Sequence, residues 1–161
     1  MKNVLVAYFS HSGNTKAVAN CVKENVGGDI FEIKTVDTYP ADYDAVVEVA
    51  KKEQTAGYRP TLATKVKDIE KYDVVFVGYP MWWYTIPMAI FTFLETCDLA
   101  GKTIVPFCTH GGSGLSKSVP DIKKLCPKST VLEGLAIRGG SVDSAQNEVS
   151  AWLKKLGLSA K

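Results

Sequence analysis

The chain has 161 residues, of which 46% are hydrophobic and 22% charged, a balance typical of globular proteins that argues against disorder. This length predicts one domain over residues 1–161, long enough to bury a hydrophobic core. The 19 basic and 17 acidic residues leave a net charge of +2 without a concentrated basic run, so we expect neither nucleic acid nor an anionic membrane surface as a partner.

Hydrophobic periodicity divides the chain into alternating strands and helices. The first half is predicted to contain a strand over 4–9, a helix over 17–26, a strand over 30–33, a helix over 42–53 and a loop over 55–67. The second half is predicted to contain strands over 74–77, 103–107 and 131–137, and helices that begin near Pro87, over 119–126 and over 149–156. Glycines at 27–28 and at 157 are expected to end two helices, and 143–146 resembles a capping box.

Five strands that alternate with about five helices predict a parallel sheet with helices on both faces. In such sheets, ligands bind beyond the carboxyl ends of the strands, where the winding direction reverses. Three unusual stretches fall at those ends: the first loop (10–15), the aromatic loop (80–86) and the glycine loop (109–114).

The uncharged stretch 74–94 is long enough to span a membrane. Gly78, Pro80 and Pro87 interrupt it, so a strand, a loop and a helix in series explain it better. The apolar run over 4–9 is shorter than the core of a signal peptide. We therefore expect a cytoplasmic protein without a membrane segment.

Four cysteines, at positions 21, 97, 108 and 126, show no short metal or redox spacing. Three of them fall on apolar faces of predicted elements, where buried free thiols are usual. This usage fits a reducing compartment.

The first loop consists of Ser10, His11, Ser12, Gly13, Asn14 and Thr15. Its hydroxyl and amide side chains can donate hydrogen bonds, and its glycine lets successive backbone N–H groups converge. The start of the following helix adds partial positive charge, so the loop could hold a phosphate. An ordinary capped turn explains the same residues equally well.

The aromatic loop begins with Pro80, Met81, Trp82, Trp83 and Tyr84. Neighbouring residues of extended backbone point in opposite directions, so all three rings cannot enter one core. At least one ring is expected at the surface or in a cleft, where a flat aromatic ligand could stack on it. The alternative is that one tryptophan simply packs beneath the loop.

The glycine loop consists of Thr109, His110, Gly111, Gly112, Ser113 and Gly114. Its glycines allow close approach of the backbone, but its spacing fits neither the Rossmann fingerprint, nor the P-loop, nor the nucleophile elbow. His110 could act as a base or a hydrogen-bond donor, although a single histidine is more often an ordinary polar loop residue.

These three motifs together resemble the flavodoxin family over essentially the whole chain. The first loop is similar to the phosphate loop of that family, 80–84 to the loop that holds the flavin ring, and 109–114 to the third flavin loop. The resemblance implies a flavodoxin-like three-layer α/β sandwich, whose five parallel strands have the order 2-1-3-4-5. It also implies FMN, with its phosphate on 10–15, its ring against Trp82, Trp83 or Tyr84, and polar contacts from 109–114.

Two functions are compatible with such a site, and no catalytic residue or metal ligand is predicted for either. One is an electron carrier that serves a redox partner protein. The other is a small NAD(P)H-dependent reductase that passes electrons to a small acceptor, such as a quinone, nitro or azo compound. A cofactor-free scaffold of the same fold is a third possibility, and the protein could be a monomer or a homodimer.

Two features depart from the usual flavodoxin pattern. Electron-carrier flavodoxins are usually strongly acidic, whereas this chain carries +2, and this difference favours the reductase slightly. In addition, 37–72 is longer than one helix requires. We therefore expect Tyr58, Arg59 and Pro60 to form a flap near the flavin.

Overall fold

A computed structural model describes residues 3–158 of the chain. The strands are β1 (Val4–Tyr8), β2 (Asp29–Glu32), β3 (Val74–Pro80), β4 (Thr103–His110), β5 (Thr130–Val131) and β6 (Leu135–Arg138). The α-helices are α1 (Asn14–Val26), α2 (Tyr43–Ala56), α3 (Met88–Thr96), α4 (Ser118–Leu125) and α5 (Gln146–Leu156). Short 3₁₀ helices cover Ile69–Lys71 and Gly139–Ser144.

All the strands pair in parallel in one sheet of order β2-β1-β3-β4, with β5 and β6 both beside β4. The predicted order 2-1-3-4-5 is confirmed, because β5 and β6 together occupy the fifth position. Glycines in the left-handed conformation end α1 at Gly27 and α5 at Gly157, as the sequence predicts.

Hydrophobic cores lie on both faces of the sheet. Leu5 and Ala7 of β1 pack into one core, whereas Val6 and Tyr8, which alternate with them, pack into the other. The helices contribute Ile90, Phe93 and Ile122 to the first core and Val18, Val22 and Leu153 to the second. At about 1.5–3 kcal/mol for each large side chain that is fully buried, these contacts are the main stabilisation of the fold.

Helix α2 departs from this arrangement. Its N-cap is Asp42, whose carboxylate accepts the Ala45 N–H at 3.0 Å. Its buried residues Val46 and Ala50 belong to neither core and instead line a cavity at the carboxyl edge of the sheet. The apolar side of α2 therefore lines the cavity and does not pack on the sheet.

The fifth strand is interrupted, so the prediction of one strand over 131–137 is wrong. Ile104 pairs with Val131 and Phe107 with Leu135, which leaves two residues of β4 facing three residues of the neighbour. One of those two is Pro106, which has no N–H to donate to the ladder. A bulge at 132–134 is the structural consequence.

The predicted capping box at 143–146 is also wrong, because α5 starts at Gln146 without a side-chain cap. The Gln146 side chain instead faces α1, where its Oε1 accepts from Cys21 Sγ at 3.0 Å and from Asn25 Nδ2 at 3.4 Å. The preceding backbone forms a 3₁₀ turn over Gly139–Ser144.

Residues 74–94 form a strand, a turn and a helix, as predicted, and no helix within 3–158 is long and apolar enough to cross a membrane. All four cysteines are free. Cys108 and Cys126 are buried, whereas Cys21 and Cys97 are only half-buried, so the expectation of buried thiols holds in part.

Candidate functional site

A cavity of about 670 Å³ lies beyond the carboxyl ends of β1, β3 and β4, bordered by all three loops that the sequence singles out. Its size is in the range usual for small-molecule sites. The predicted residues that line it are His11, Ser12, Asn14, Pro80, Met81, Trp82, Trp83, Tyr84, Thr109, His110, Gly111, Gly112 and Ser113. The structure therefore brings most of the predicted site together.

Four predicted residues, Ser10, Gly13, Thr15 and Gly114, do not line the cavity. Ser10 Oγ accepts the N–H groups of Gly13 at 3.2 Å and Lys16 at 3.3 Å, and so fixes the bend of the first loop. Thr15 is buried, and its hydroxyl forms a 2.8 Å hydrogen bond with that of Thr109. The side chains of Ser10 and Thr15 hold the first loop in shape.

The start of α1 has the properties of an anion site. Gly13, which has φ 97°, occupies the N-cap position and has no side chain that could cap the helix. The first turn that follows contains no acidic residue. Within the described part of the chain, the N–H groups of Ser12, Asn14 and Thr15 have no hydrogen-bond acceptor. Unpaired amides at the positive end of a helix favour a bound anion.

The aromatic loop contains a tight hairpin turn with unusual backbone. Trp82 and Thr85 exchange two backbone hydrogen bonds of 3.1 and 3.4 Å. The two residues between them, Trp83 and Tyr84, have φ 52° and 68°. This left-handed conformation costs a residue other than glycine about 1–2 kcal/mol, so the surroundings must stabilise the turn.

Helix α2 contacts this turn through Trp83. The indole N–H donates to the Val47 carbonyl oxygen at 2.9 Å, and Lys51 Nζ lies 4.9 Å from the ring centroid. Gln54 Nε2 donates to the Trp83 carbonyl oxygen at 3.2 Å. On the other side of the turn, the Lys117 N–H donates to the Tyr84 carbonyl oxygen at 3.0 Å.

The three rings of the aromatic loop differ in exposure. Trp82 is half-buried and makes edge contacts with Tyr39 at 5.0 Å, Phe9 at 5.4 Å and His11 at 6.0 Å between ring centroids. Trp83 is 38% exposed and Tyr84 61% exposed, although all three line the cavity. The prediction that at least one ring remains exposed is confirmed, and one tryptophan does pack beneath the loop.

A hydrogen bond supports the ring contacts from behind. Tyr39 donates its hydroxyl proton to Glu53 Oε1 at 2.7 Å, and both side chains are half-buried. Burial raises the pKa of Glu53, while burial and then the neighbouring Glu53 raise the pKa of Tyr39. The pair therefore keeps Tyr39 protonated and fixed against Trp82.

The glycine loop begins inside β4, which extends to His110, so Thr109 and His110 are strand residues. The His110 Nδ1 accepts the N–H groups of Gly112 at 3.0 Å and Gly114 at 3.2 Å. A Cβ built at Gly111 or Gly112 would meet no protein atom within 4 Å. The backbone of the loop therefore borders open space, and a ligand can approach it closely.

A sequence model of the flavodoxin family matches residues 3–156. The chain belongs to the flavodoxin family. A candidate flavoprotein from Bacteroides eggerthii is 35% identical, with a TM-score of 0.87 over 98% of this chain and 99% of that one. A second candidate, from Bacteroides uniformis, is 33% identical with a TM-score of 0.82 over 95% and 98% of the two chains.

A flavoprotein from Lactobacillus acidophilus, whose structure was solved in complex with FMN, shares the flavodoxin fold. It is 24% identical, with a TM-score of 0.74 over 89% of this chain and 98% of that one. No protein of curated function matches the sequence significantly. These comparisons establish the family and the fold.

This flavodoxin-family chain has site residues that the sequence did not reveal. Besides Gly139, they are Tyr43, Val46, Val47 and Ala50 of α2. The apolar spacing of α2 was visible, but periodicity alone does not say whether a helix face packs on a sheet or beside a cavity. Gly139 follows β6 beside Asn14, and a Cβ there would lie 2.9 Å from the Asn14 Nδ2.

The prediction of a flap at 58–60 is wrong, because Tyr58, Arg59 and Pro60 do not line the cavity. Arg59 Nε lies 2.5 Å from the Glu95 carboxylate in the last turn of α3, and its guanidinium lies 4.7 Å from the Phe91 ring centroid. This contact holds the segment against α3. The length of 37–72 instead allows α2 to lie beside the aromatic loop.

Proposed function

We propose that this protein binds FMN in the cavity at the carboxyl edge of the sheet and exchanges electrons through it. The observation that carries this proposal is one cavity lined by two different kinds of group. The start of α1 contributes unpaired amides, and the aromatic loop and the glycine loop contribute aromatic rings and uncovered backbone. A phosphate tail joined to a flat polar ring matches both kinds of group.

The phosphate would be held at the first loop by the N–H groups of Ser12, Asn14 and Thr15. The Ser10 hydroxyl fixes the loop through the amides of Gly13 and Lys16, so the other amides need little rearrangement. The absence of acidic residues from the first turn of α1 avoids repulsion of the dianion.

The ring would lie between the aromatic loop and the glycine loop. Trp82, Trp83 and Tyr84 offer apolar contact, and the uncovered backbone at Gly111 and Gly112 allows polar atoms of the ring edge to approach. Bound FMN would supply the one- and two-electron chemistry that the side chains themselves lack. The FMN complex of the Lactobacillus acidophilus flavoprotein, a protein of the same fold, supports this choice of cofactor.

Two kinds of exchange partner fit this site. The first is a redox partner protein that meets the exposed edge of the ring. The second is a small acceptor reduced at the expense of NAD(P)H, which the near-neutral charge of +2 and the exposed rings of Tyr43 and Tyr84 beside the cavity favour. FMN-dependent electron transfer is the function that both kinds of partner share.

The experiment has two steps. FMN is first titrated into the purified protein, and the quenching of flavin fluorescence gives the affinity. The loaded protein is then mixed with NADH or NADPH in a stopped-flow instrument while the visible flavin absorbance is followed. Direct bleaching at a useful rate supports the reductase, whereas bleaching only through an added flavoprotein reductase supports the carrier. Failure to bind FMN would overturn the proposal and favour a cofactor-free scaffold.

A further inference from the structure

His110 makes an unusual set of contacts for a residue at the end of a strand. It is the last residue of β4, and the chain turns back so that two of the next four amides point at its ring. The N–H groups of Gly112 and Gly114 both donate to Nδ1, at 3.0 and 3.2 Å. The glycine loop is thus folded around one side chain.

These two contacts determine the protonation state of the ring. A backbone N–H can only donate, so the Nδ1 that accepts both must be unprotonated and the proton of the neutral ring lies on Nε2. Adding a proton to Nδ1 would replace the acceptor by a donor facing two other donors. Charging the ring is therefore incompatible with this loop conformation.

We propose that His110 is a positioning residue, whose neutral imidazole folds the glycine loop into the conformation that receives the flavin ring. This inference rests on the proposed binding of FMN in the cavity. Among residues 3–158, the N–H groups of Gly111 and Ser113 and the Nε2–H of His110 have no hydrogen-bond acceptor, so acceptor atoms of a ligand can bind them. A protonated His110 would release the loop and weaken binding.

The charges around His110 favour the neutral state. On β6, Arg138 pairs with His110 in the strand register, and burial followed by this positive charge lowers the pKa of His110. The titratable side chains that line the cavity with it are His11 of the first loop, Tyr43 of α2 and Tyr84 of the aromatic loop. Of these, only His11 is another histidine, so it needs its own control.

Two substitutions of His110 distinguish its role as a hydrogen-bond acceptor from its ability to take up a proton. In His110→Asn, Oδ1 occupies the place of Nδ1 and can accept both amides, but it does not titrate. In His110→Phe, the ring remains without an acceptor.

Two further substitutions are controls. In His11→Gln, the amide can replace the Nε2 donor, which lies 2.6 Å from the Pro40 carbonyl oxygen. Arg138→Gln removes the positive charge beside His110.

The first measurement uses FMN-free protein, so it does not depend on the proposed function. We expect the amide NMR signals of Gly112 and Gly114 to titrate with the His110 ring in the wild type and to stay constant in His110→Asn. In Arg138→Gln, the midpoint should move to higher pH. Amide signals that do not respond when the His110 ring titrates would overturn the inference.

The second measurement is the pH dependence of FMN affinity. Uptake of one proton by free His110 should raise the Kd up to about tenfold for each pH unit below its pKa. The FMN phosphate itself titrates near pH 6, so some pH dependence remains in every variant. The wild type should lose affinity more steeply with falling pH than His110→Asn does, this excess should persist in His11→Gln, and His110→Phe should bind weakly at every pH. A pH dependence that is unchanged in His110→Asn, or an excess that disappears in His11→Gln, would overturn the role of His110. Absence of FMN binding at any pH would instead overturn the proposed function.

Discussion

Because the turn of the aromatic loop holds residue 84 in the left-handed conformation, we expect glycine to be more favourable than alanine at this position. Tyr84 has φ 68°, so it pays the left-handed cost of about 1–2 kcal/mol, whereas glycine does not. The unfolded chain has more conformational entropy with glycine than with alanine, and this lowers the free energy of unfolding by about 0.4–1 kcal/mol, which offsets part of the benefit. We therefore expect Tyr84→Gly to be more stable than Tyr84→Ala by roughly 0.5–1 kcal/mol.

Comparison with alanine isolates the backbone, because both variants lose the same ring, which is 61% exposed. The free energy of unfolding would be measured by urea denaturation of the FMN-free protein. Tyr43 provides a matched control, since it also lines the cavity and is exposed but begins α2. There, alanine should be more stable than glycine. If Tyr84→Ala were more stable than Tyr84→Gly, the conclusion that the backbone is strained at residue 84 would be refuted.

The same variants test whether the Tyr84 ring covers the flavin. Loss of an aromatic contact costs about 0.5–1.5 kcal/mol, so FMN should bind about 2- to 12-fold more weakly to both Tyr84→Gly and Tyr84→Ala. Fluorescence titration with FMN measures this change. Wild-type affinity in both variants would show that the ring makes no contact with the flavin.

Three further predictions concern the anion site, the core and the response to pH. Ser12→Glu should weaken FMN at least tenfold in a fluorescence titration, because a carboxylate would face the phosphate, while Ser12→Ala should stay near wild type. Gly78→Ala should lower the unfolding free energy by about 1–3 kcal/mol or more in a denaturant titration, since its Cβ would lie 2.2 Å from the Phe107 ring. Because the pKa of His110 is lowered below 6.5 in the folded protein, the unfolded chain binds the proton first. Stability should therefore be complete above about pH 6.5 and fall as the pH drops through the folded value, a loss that His110→Asn should reduce.

The sheet and the location of the cavity could be predicted because they follow from local patterns. Apolar runs identify the strands, and glycines such as Gly27 end helices through their own backbone preference. The bulge opposite Pro106 was also implicit in the sequence, since proline cannot donate to the ladder, but the partner strand had to be known first.

The rest of the site depends on contacts between distant segments. Trp83 and Tyr84 carry none of the usual signals of a left-handed turn, because glycine and asparagine are the residues that favour it. Their conformation is held by α2, which the sequence predicts as a helix without showing that it lies beside this loop. In the same way, the spacing of His110 from Gly112 and Gly114 does not show that their amides point at its Nδ1.

A structure of the protein crystallised with FMN would show where the cofactor binds. We expect the phosphate oxygens within about 3 Å of the amides of Ser12, Asn14 and Thr15, and the ring between the aromatic loop and the glycine loop. A cavity that remains empty under saturating FMN, or a phosphate bound away from the start of α1, would contradict it.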